Sequence, residues 1–510
     1  MQHQYIQDFA QYEDGTEVTI KGWIDKPRNS KTNHFFDFRD GTGFTQCVVS
    51  LDTVGEEAFE QAKRLTVESS VAFTGKLLRN DKSLGGYEIQ VSSYDIYHIA
   101  TDFPITKSDG EHGPNFLEER RHLWLRRRRQ WAINRVRNQL IMGIHDFFQK
   151  DGFVQMDAPL MTGSACEGTT DLFETDFFGQ PAYLSQSGQL YAEAMAMAMN
   201  KVYTFGPTFR SEKSNTPRHL AEFWMIEPEV AFATNEDNMV LIERFVKHVI
   251  AHVLDKCKIE FDLLERDTSK LQAVVDGKFP QVAYSDAVKI LNGLVDVDGK
   301  NAIQLQEDDL AAARALIVRH KEEIATREKA IKAGMKKGAR KHSEQVIAKL
   351  QAEIKIAEEQ ERNIPKWIES AKNFKHGEDL GSSDETVLTR VFSTPVMVYN
   401  WPTKIKAFYM KEVDGNPEFV KGVDLLAPDG FGEIIGGSER ETDIDILLKK
   451  IEEHELDQAD FEWYLDLRRF GSVPHAGFGL GLERLVRWCC DLHHVRETIP
   501  FPRRYGHIKP

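Results

Sequence analysis

Cysteine is scarce in this sequence: Cys47, Cys166, Cys257, Cys489 and Cys490 are spread over 510 positions with no C-x-x-C spacing. That pattern excludes a zinc ribbon, a redox dithiol and a disulfide framework, and leaves reduced structural thiols. Long apolar runs are missing too. No stretch approaches about 18 consecutive apolar residues, so no bilayer-spanning helix and no membrane partner are expected. The first residues, MQHQYIQDFAQYEDG, show no basic start followed by an apolar run, and the expected compartment is the cytoplasm. Positive charge is also in deficit. A net charge of −15 excludes indiscriminate coating of nucleic acid, which depends on Lys and Arg at phosphates, although local basic surfaces can still hold RNA.

What is present is enough chain for two to four domains. The first hundred residues read as short alternating strands, EVTIKGWID, HFFDFRDGTGFTQCVVS, SVAFTGKLL and GYEIQVSSYDIYHI, the pattern of a small barrel or sandwich. A polar stretch, TDFPITKSDGEHGPNF, marks a boundary. Beyond it Trp131, Val136, Leu140, Ile144 and Phe147 form the stripe of an amphipathic helix that leads into the strand-like GFVQMDAPLM. Between residues 303 and 364 the period changes to seven: Ile303, Leu310, Ile317, Ile324 and Ile331, then Ile347, Leu350, Ile354 and Ala357 after Gly334 and Gly338. This predicts an antiparallel helical hairpin whose tip carries Lys332, Lys336, Lys337, Arg340 and Lys341. The tip is either an arm for RNA phosphates or a solvated end.

Three segments carry chemistry. VYTFGPTFRSEKSNTPRHLAEFWMIEPEVAF, residues 202–232, draws as a long hairpin in which Phe223, Glu227 and Glu229 share one face of the returning strand. Two carboxylates and a ring on one face require a ligand or partners if buried. With Arg210, Glu212, Arg218 and His219 nearby in sequence, the hairpin suits a phosphate-bearing aromatic ligand, or is a surface ribbon with ion pairs. In GSVPHAGFGLGLERLVRW, residues 471–488, glycines precede a helix that carries Arg484, a setting that favours an anion without matching a Walker loop or dinucleotide fingerprint. In GVDLLAPDGFGEIIGGSER, residues 422–440, Asp424 and Glu433 offer hard oxygen ligands of the kind magnesium takes together with substrate phosphates, and Arg440 follows a glycine pair.

Together these segments resemble motifs 2 and 3, and the strand between them, of the class II aminoacyl-tRNA synthetases, and the helix before Pro159 resembles motif 1. Within that class the chain is similar to the subgroup for aspartate, asparagine and lysine. The resemblance implies an α+β fold: an OB-fold anticodon-binding barrel over 1–102, a linker over 103–128, and a catalytic domain on an antiparallel sheet over 129–510, with the hairpin of 303–364 inserted in it. It implies that Arg210, Glu212, Arg218, His219, Phe223, Glu433 and Arg484 bind ATP, with Arg210, Arg484 and Glu433 catalytic. Asp424 and Glu433 would hold Mg2+, and Arg28, Phe35 and Gln46 would read anticodon bases. A homodimer joined through the motif 1 region is implied as well.

Aspartate and asparagine differ little in shape, so selectivity rests on polarity. A side-chain amide presents one acceptor and an NH2 donor, whereas a carboxylate presents acceptors only. Glu227 is expected to accept from the amide nitrogen and Arg440 to donate to the amide oxygen, a polar match able to discriminate on the order of 10⁴-fold. Aspartate enzymes of the subgroup typically carry QSPQLYK, with an aspartate at the position of Glu227. This chain reads QSGQLYAE, with Ala192 at the lysine position. The resemblance therefore implies ligation of asparagine to tRNA through an adenylate, with Ser187 and Gln189 beside the amino acid and Glu167 on a mobile loop above it. The rivals are an aspartyl enzyme, a non-catalytic RNA-binding relative, and an asparagine-making relative, which typically lacks the barrel. Pro228 predicts an irregular strand beside Glu227.

Overall fold

Alternating burial along the first strands closes them into a barrel. The computed structural model describes residues 3–106, 112–163, 172–214 and 216–510, in two units, Met1–Arg127 and Arg128–Pro510. In the first unit β1 (Glu17–Asn29), β2 (Asn33–Arg39), β3 (Phe44–Ser50), β4 (Ser70–Arg79) and β5 (Tyr87–His98) close in the order β1-β2-β3-β5-β4. Every second residue points inward, so Val18, Ile20 and Ile24 meet Phe36, Phe38, Val71, Phe73 and Ile89 in one core. Gly22 and Gly75 allow the strands to bend against each other: a Cβ on either would fall 2.1 Å from the carbonyl oxygen of Arg39 or Gln90. After the barrel strands in sequence, and still within the first unit, the short helices Pro114–Glu119 and Arg121–Trp124 bring Leu117 and Trp124 against Ile105.

The second unit is built on a nine-stranded sheet. Its strands are β6 (Val154–Met156), β10 (Lys201–Phe209), β11 (Glu222–Ala231), β12 (Gln281–Ala283), β13 (Val396–Pro402), β14 (Glu412–Val413), β15 (Asn416–Ala427), β16 (Gly432–Glu439) and β17 (His475–Gly481). The order is β12-β13-β15-β16-β17-β11-β10-β6, with β14 paired beside β15. The interior pairs are antiparallel, and β6 and β12 join the two edges in parallel. A separate small sheet holds β7 (Met161–Thr162), β8 (Glu174–Phe177) and β9 (Gln180–Leu184).

Helix α1 (Arg128–Lys150) buries the stripe Val136, Leu140, Ile144 and Phe147, and helix α3 (Asn235–Lys256) packs with it over Ile226, Ile435 and Leu480 of the sheet. Between them in sequence lies α2 (Gln189–Met199). A capping box at Thr234 and Asp237 starts α3. The seven-residue period resolves into α4 (Ala302–Lys332) and α5 (Lys337–Asn373), which pack against each other. The second helix thus continues nine residues beyond 364, through Pro365, and ends against α6 (Ser382–Thr389) and the outer β13 side of the sheet. Of the heptad positions, Ile303, Ile317, Leu350, Ile354 and Ala357 are buried, with Ala313 beside Ile317, whereas Leu310, Ile324, Ile331 and Ile347 are half-buried.

Pro228 keeps β11 in regular register with β10, opposite Tyr203. Toward β17 the pairing lapses at Glu227 and Pro228 and resumes at Glu229 opposite Gly477 in the same phase. The expected irregularity is therefore confined to one edge, because a missing N–H costs a bond only on the side it faces.

One buried ion pair ties the start of this unit to its end. Arg137 of α1 donates to Glu483 at 2.7 Å, in the first turn of α7 (Leu482–Cys489), and the other oxygen of Glu483 accepts from the Trp224 amide of β11 at 2.9 Å. Burial pushes the Glu483 carboxyl up, and Arg137 opposes that shift. Arg137→Ala would leave Glu483 buried without its cation, and is expected to destabilise the catalytic unit by about 3–5 kcal/mol. Hydrogen exchange will check this: protection should fall in α1, α7 and β11 and stay unchanged in the barrel strands.

Candidate active site

The hairpin of β10 and β11 sets Thr204 directly across from Glu227 and Thr208 across from Phe223. Glu227 is buried, and three groups from two segments hold its carboxylate. Thr204 donates from its hydroxyl at 2.9 Å, the Gly188 amide donates at 2.8 Å, and the Ser187 hydroxyl donates to the other oxygen. Ser187 in turn accepts from the Gln189 amide at 3.1 Å, and the Gln189 side chain donates to Glu193 at 3.1 Å. Gly188, the residue before α2, is closely packed: a Cβ there would lie 3.0 Å from Glu227 Oε2 and 3.0 Å from the Ala158 methyl group, and would push one of them aside.

Arg440, at the end of β16, is buried as well. It donates to Ser438 Oγ at 2.7 Å and to both oxygens of Glu229, and its guanidinium carbon lies 5.3 Å from the centre of the Tyr409 ring. Glu227 and Glu229 share a strand face as the alternation requires, yet they divide the work. Glu227 faces a cavity, and Glu229 supports Arg440 from beneath. Gly477 makes that room, since a Cβ there would fall 2.3 Å from Glu229 Oε1. Burial pushes the Glu229 carboxyl up to about 7, with Arg440 opposing and Glu193 adding repulsion. Burial works in the same sense on Glu193, but Arg468 and His475, which donate to it at 2.9 Å each, hold its carboxyl well below the usual carboxylate range.

Ser187, Gln189, Glu227, Arg440, Lys406 and Asp424 line a cavity of about 240 Å³. A second cavity, of about 100 Å³, is lined by Glu212, Arg218, His219, Phe223 and Arg484. Arg210, Glu433, Met225 and Gly479 border both. The Arg210 guanidinium carbon lies 5.3 Å from the Phe223 ring centre. Arg484, in the first turn of α7, donates to the backbone and side-chain oxygens of Glu433 at 3.0 Å each. Arg218 donates to Glu385 of α6 and to the Gly430 carbonyl at 2.7 Å. Burial and the neighbouring Arg484 keep the His219 imidazole below its ordinary value.

At the shared wall two carboxylates converge. A Cβ on Gly436 would lie 3.0 Å from Glu433 Oε1 and 3.5 Å from Asp424 Oδ1. Lys406 donates to Asp424 at 2.6 Å and lies 4.0 Å from the centre of the Trp401 ring. Burial pushes the Asp424 carboxyl up to about 7; Lys406 opposes, and Glu433 and Asp379 add repulsion. For Glu433, desolvation is outweighed by Arg484 and Lys406, which hold its carboxyl below the ordinary value. No group of three or more His, Cys, Asp and Glu forms a metal cage among the described residues.

The structure thus brings the catalytic-unit residues expected from sequence into two adjoining cavities, apart from Glu167, which lies outside the described residues. It adds Thr204, Gly188, Lys406, Tyr409 and Glu385. Only register could have revealed Thr204. Nothing in WPTKIKAFYM marks Lys406 as a neighbour of Asp424.

In the barrel, Arg28 pairs across β1 and β2 with Phe35, and Asp37 pairs across β2 and β3 with Gln46. Phe35 lies outside the core that Phe36 and Phe38 enter, with the Arg28 guanidinium 5.8 Å from its ring centre. Arg28 also donates to Gln46 at 2.8 Å and to Asp37 at 3.0 Å. A ring, a guanidinium and an amide are therefore presented together on the outer barrel face.

An antiparallel sheet with two adjoining cavities, one cationic beside a ring and one polar, defines a class II tRNA synthetase. The family described as tRNA synthetases class II (D, K and N) matches residues 114–505, and the OB-fold nucleic acid binding domain matches residues 18–97. The asparagine–tRNA ligase of Symbiobacterium thermophilum is 45% identical over 506 residues, 99% of each chain, so the match runs through the helical hairpin. That of Pelotomaculum thermopropionicum is 44% identical over 97% of each chain. A crystal structure of asparaginyl-tRNA synthetase from Pyrococcus horikoshii complexed with asparaginyl-adenylate superposes with a TM-score of 0.81 at 35% identity, covering all of both chains. The chain belongs to the asparagine–tRNA ligase family.

Proposed function

We propose that this chain joins asparagine to its cognate tRNA in two steps. Asparagine and ATP give asparaginyl-adenylate and pyrophosphate, and a hydroxyl of the 3′-terminal ribose of the tRNA then takes the acyl group and releases AMP. The observation that carries the choice of amino acid is the pairing, in one polar cavity, of a carboxylate held by three donors with a guanidinium held from behind by a second carboxylate. Glu227 accepts from the side-chain amide nitrogen, and Arg440 donates to the amide oxygen. Aspartate in that pose sets its charge against Glu227, at a cost of roughly 1–3 kcal/mol or more for an unpaired buried acceptor.

ATP occupies the second cavity, with adenine against Phe223 and phosphates at Arg210, Arg218, His219 and Arg484, and Glu212 at its margin. Arg210 borders both cavities and so faces the α-phosphate as the asparagine carboxylate attacks it. Charge developing on the phosphoryl oxygens is met by fixed guanidinium groups, with no covalent enzyme intermediate. Asp424 and Glu433, converging beside Gly436, fit a Mg2+ ion that takes one or two carboxylates and completes its shell with phosphate oxygens. When bound, that ion neutralises charge on the leaving pyrophosphate. Lys406 holds Asp424 in place on the opposite side.

Arg28, Phe35 and Gln46 supply stacking and base-edge contacts for an unpaired anticodon. Exposed apolar side chains on α1, β6 and the small sheet, among them Met142, Val154, Met161 and Phe178, support a homodimer through the motif 1 region. No helix is long and apolar enough to cross a membrane among the described residues, and we place the reaction in the cytoplasm, where its three substrates meet.

Pyrophosphate exchange with each amino acid tests the reading. Asparagine is expected to exceed aspartate in kcat/KM by at least about 10³-fold; a larger rate with aspartate refutes it. Glu227→Gln should lower kcat/KM for asparagine about 100-fold and shrink its advantage over aspartate, because a carboxamide can turn a donor to either substrate. Gly188→Ala should raise KM for asparagine at least about tenfold through displacement of Glu227, with KM for ATP held within about twofold. Both follow from initial-rate exchange assays.

A further inference from the structure

The helical hairpin contains two distinct distributions of charge. Along its stem cations and carboxylates alternate and some pair across the two helices, Arg314 with Glu361 at 2.9 Å and Lys321 with Glu358 at 3.0 Å, while the His320 imidazole meets Glu353 at 2.7 Å. At its end the pattern reverses. Residues 329–341 contain Lys329, Lys332, Lys336, Lys337, Arg340 and Lys341, and no Asp or Glu. All six are exposed. Arg340 pairs with Glu344 at 2.8 Å, whereas the five lysines make no ion pair among the described residues. Lys337 and Lys341 sit one turn apart on α5, where like charges destabilise a helix by about 0.2–0.5 kcal/mol. The end of the hairpin is therefore electrostatically worse, taken alone, than its stem.

The position of this cluster is fixed by the fold. At 1.5 Å per residue, a helix the length of α4 carries the tip about 45 Å from its root. The root is held firmly: Arg390 donates to both oxygens of Asp309 at 2.7 and 2.9 Å, and Ser370 donates to Asp384 of α6 at 2.8 Å. A preorganised arm loses little freedom when its end is bound. The surface chemistry at the end also narrows the partner. A protein interface is centred on buried apolar or aromatic anchors, yet residues 329–341 hold no aromatic, and Ile331 and Met335 are half-buried within the hairpin itself. Phosphate binding needs only accessible cations, and on a chain of net charge −15 such an island is where a polyanion can approach.

We infer that the tip of this hairpin is a second RNA-contact surface, which binds phosphates of the tRNA while the catalytic cavities act on its 3′ end. The inference rests on the reading of the chain as a tRNA ligase. It is tested in the full chain with Lys332, Lys336, Lys337 and Lys341 all changed to Ala, substitutions that preserve helix propensity. At 0.15 M salt KM for a tRNA transcript with an asparagine anticodon should rise at least about tenfold, and the slope of log affinity against log salt should become shallower by about 3, as expected for four lost phosphate contacts. Asparagine-dependent pyrophosphate exchange, which needs no tRNA, should be unchanged. A variant with Lys321→Ala and Lys355→Ala on the stem should bind tRNA as the unaltered chain does. An unchanged KM and salt slope in the tip variant, or an equal loss in the stem variant, overturns the inference. Absence of asparagine-dependent exchange in the unaltered chain would instead overturn the function on which it rests.

Discussion

Holding carboxylates inside a sheet is the constraint from which the rest of the catalytic unit follows. Glu193, Glu227 and Glu229 are all withdrawn from water, and an isolated buried charge of that kind costs several kcal/mol unless donors surround it. Each receives them from a different source. Glu227 takes hydroxyl and amide donors from the turn before α2 and from β10, Glu229 takes the Arg440 guanidinium, and Glu193 takes Arg468, His475 and Tyr464. Because those donors come from segments far apart in sequence, the pocket exists only once β10, β11, β16 and β17 are paired in register. A shift by one residue would turn Glu227 to the opposite face and leave Thr204 facing nothing it can satisfy.

The same economy shapes the nucleotide side. Arg210, Arg218 and Arg484 line one cavity, and neighbouring carboxylates offset that crowding: Glu385 receives Arg218, and Glu433 receives Arg484. On the proposed reading the cations that meet the phosphates are thus already held in place by the fold. Lys406 and Asp424 repeat this arrangement at the junction. Positioning of charge in advance of the reaction is what a phosphoryl-centred step requires, since little reorganisation then accompanies bond formation.

Much of this was legible in the sequence where the signal is local. Alternation in EVTIKGWID and SVAFTGKLL gave a small barrel or sandwich and heptads gave the hairpin, while the family resemblance narrowed the first to a barrel and brought Arg210, Phe223, Glu433 and Arg484, from three separate segments, to one site. The hairpin's end was less legible, because α5 runs through Pro365 to Asn373 on the strength of packing against α6, which no periodicity records. The face shared by Glu227 and Glu229 was visible, but their separate roles were not: the difference lies in Gly477, whose missing side chain admits Glu229 beside β17, and in Arg440, which arrives from another strand. Lys406 and Thr204 were invisible for the same reason. Their partners stand opposite them in space and carry no mark in the surrounding sequence.

Arg210, Glu433, Met225 and Gly479 form a party wall between the two cavities. A change in any of them alters both rooms at once, so on the proposed reading one substitution there acts on the amino-acid and nucleotide sites together. Variation that retunes one substrate alone is channelled to the far walls, Ser187 and Gln189 on one side and His219 and Arg218 on the other.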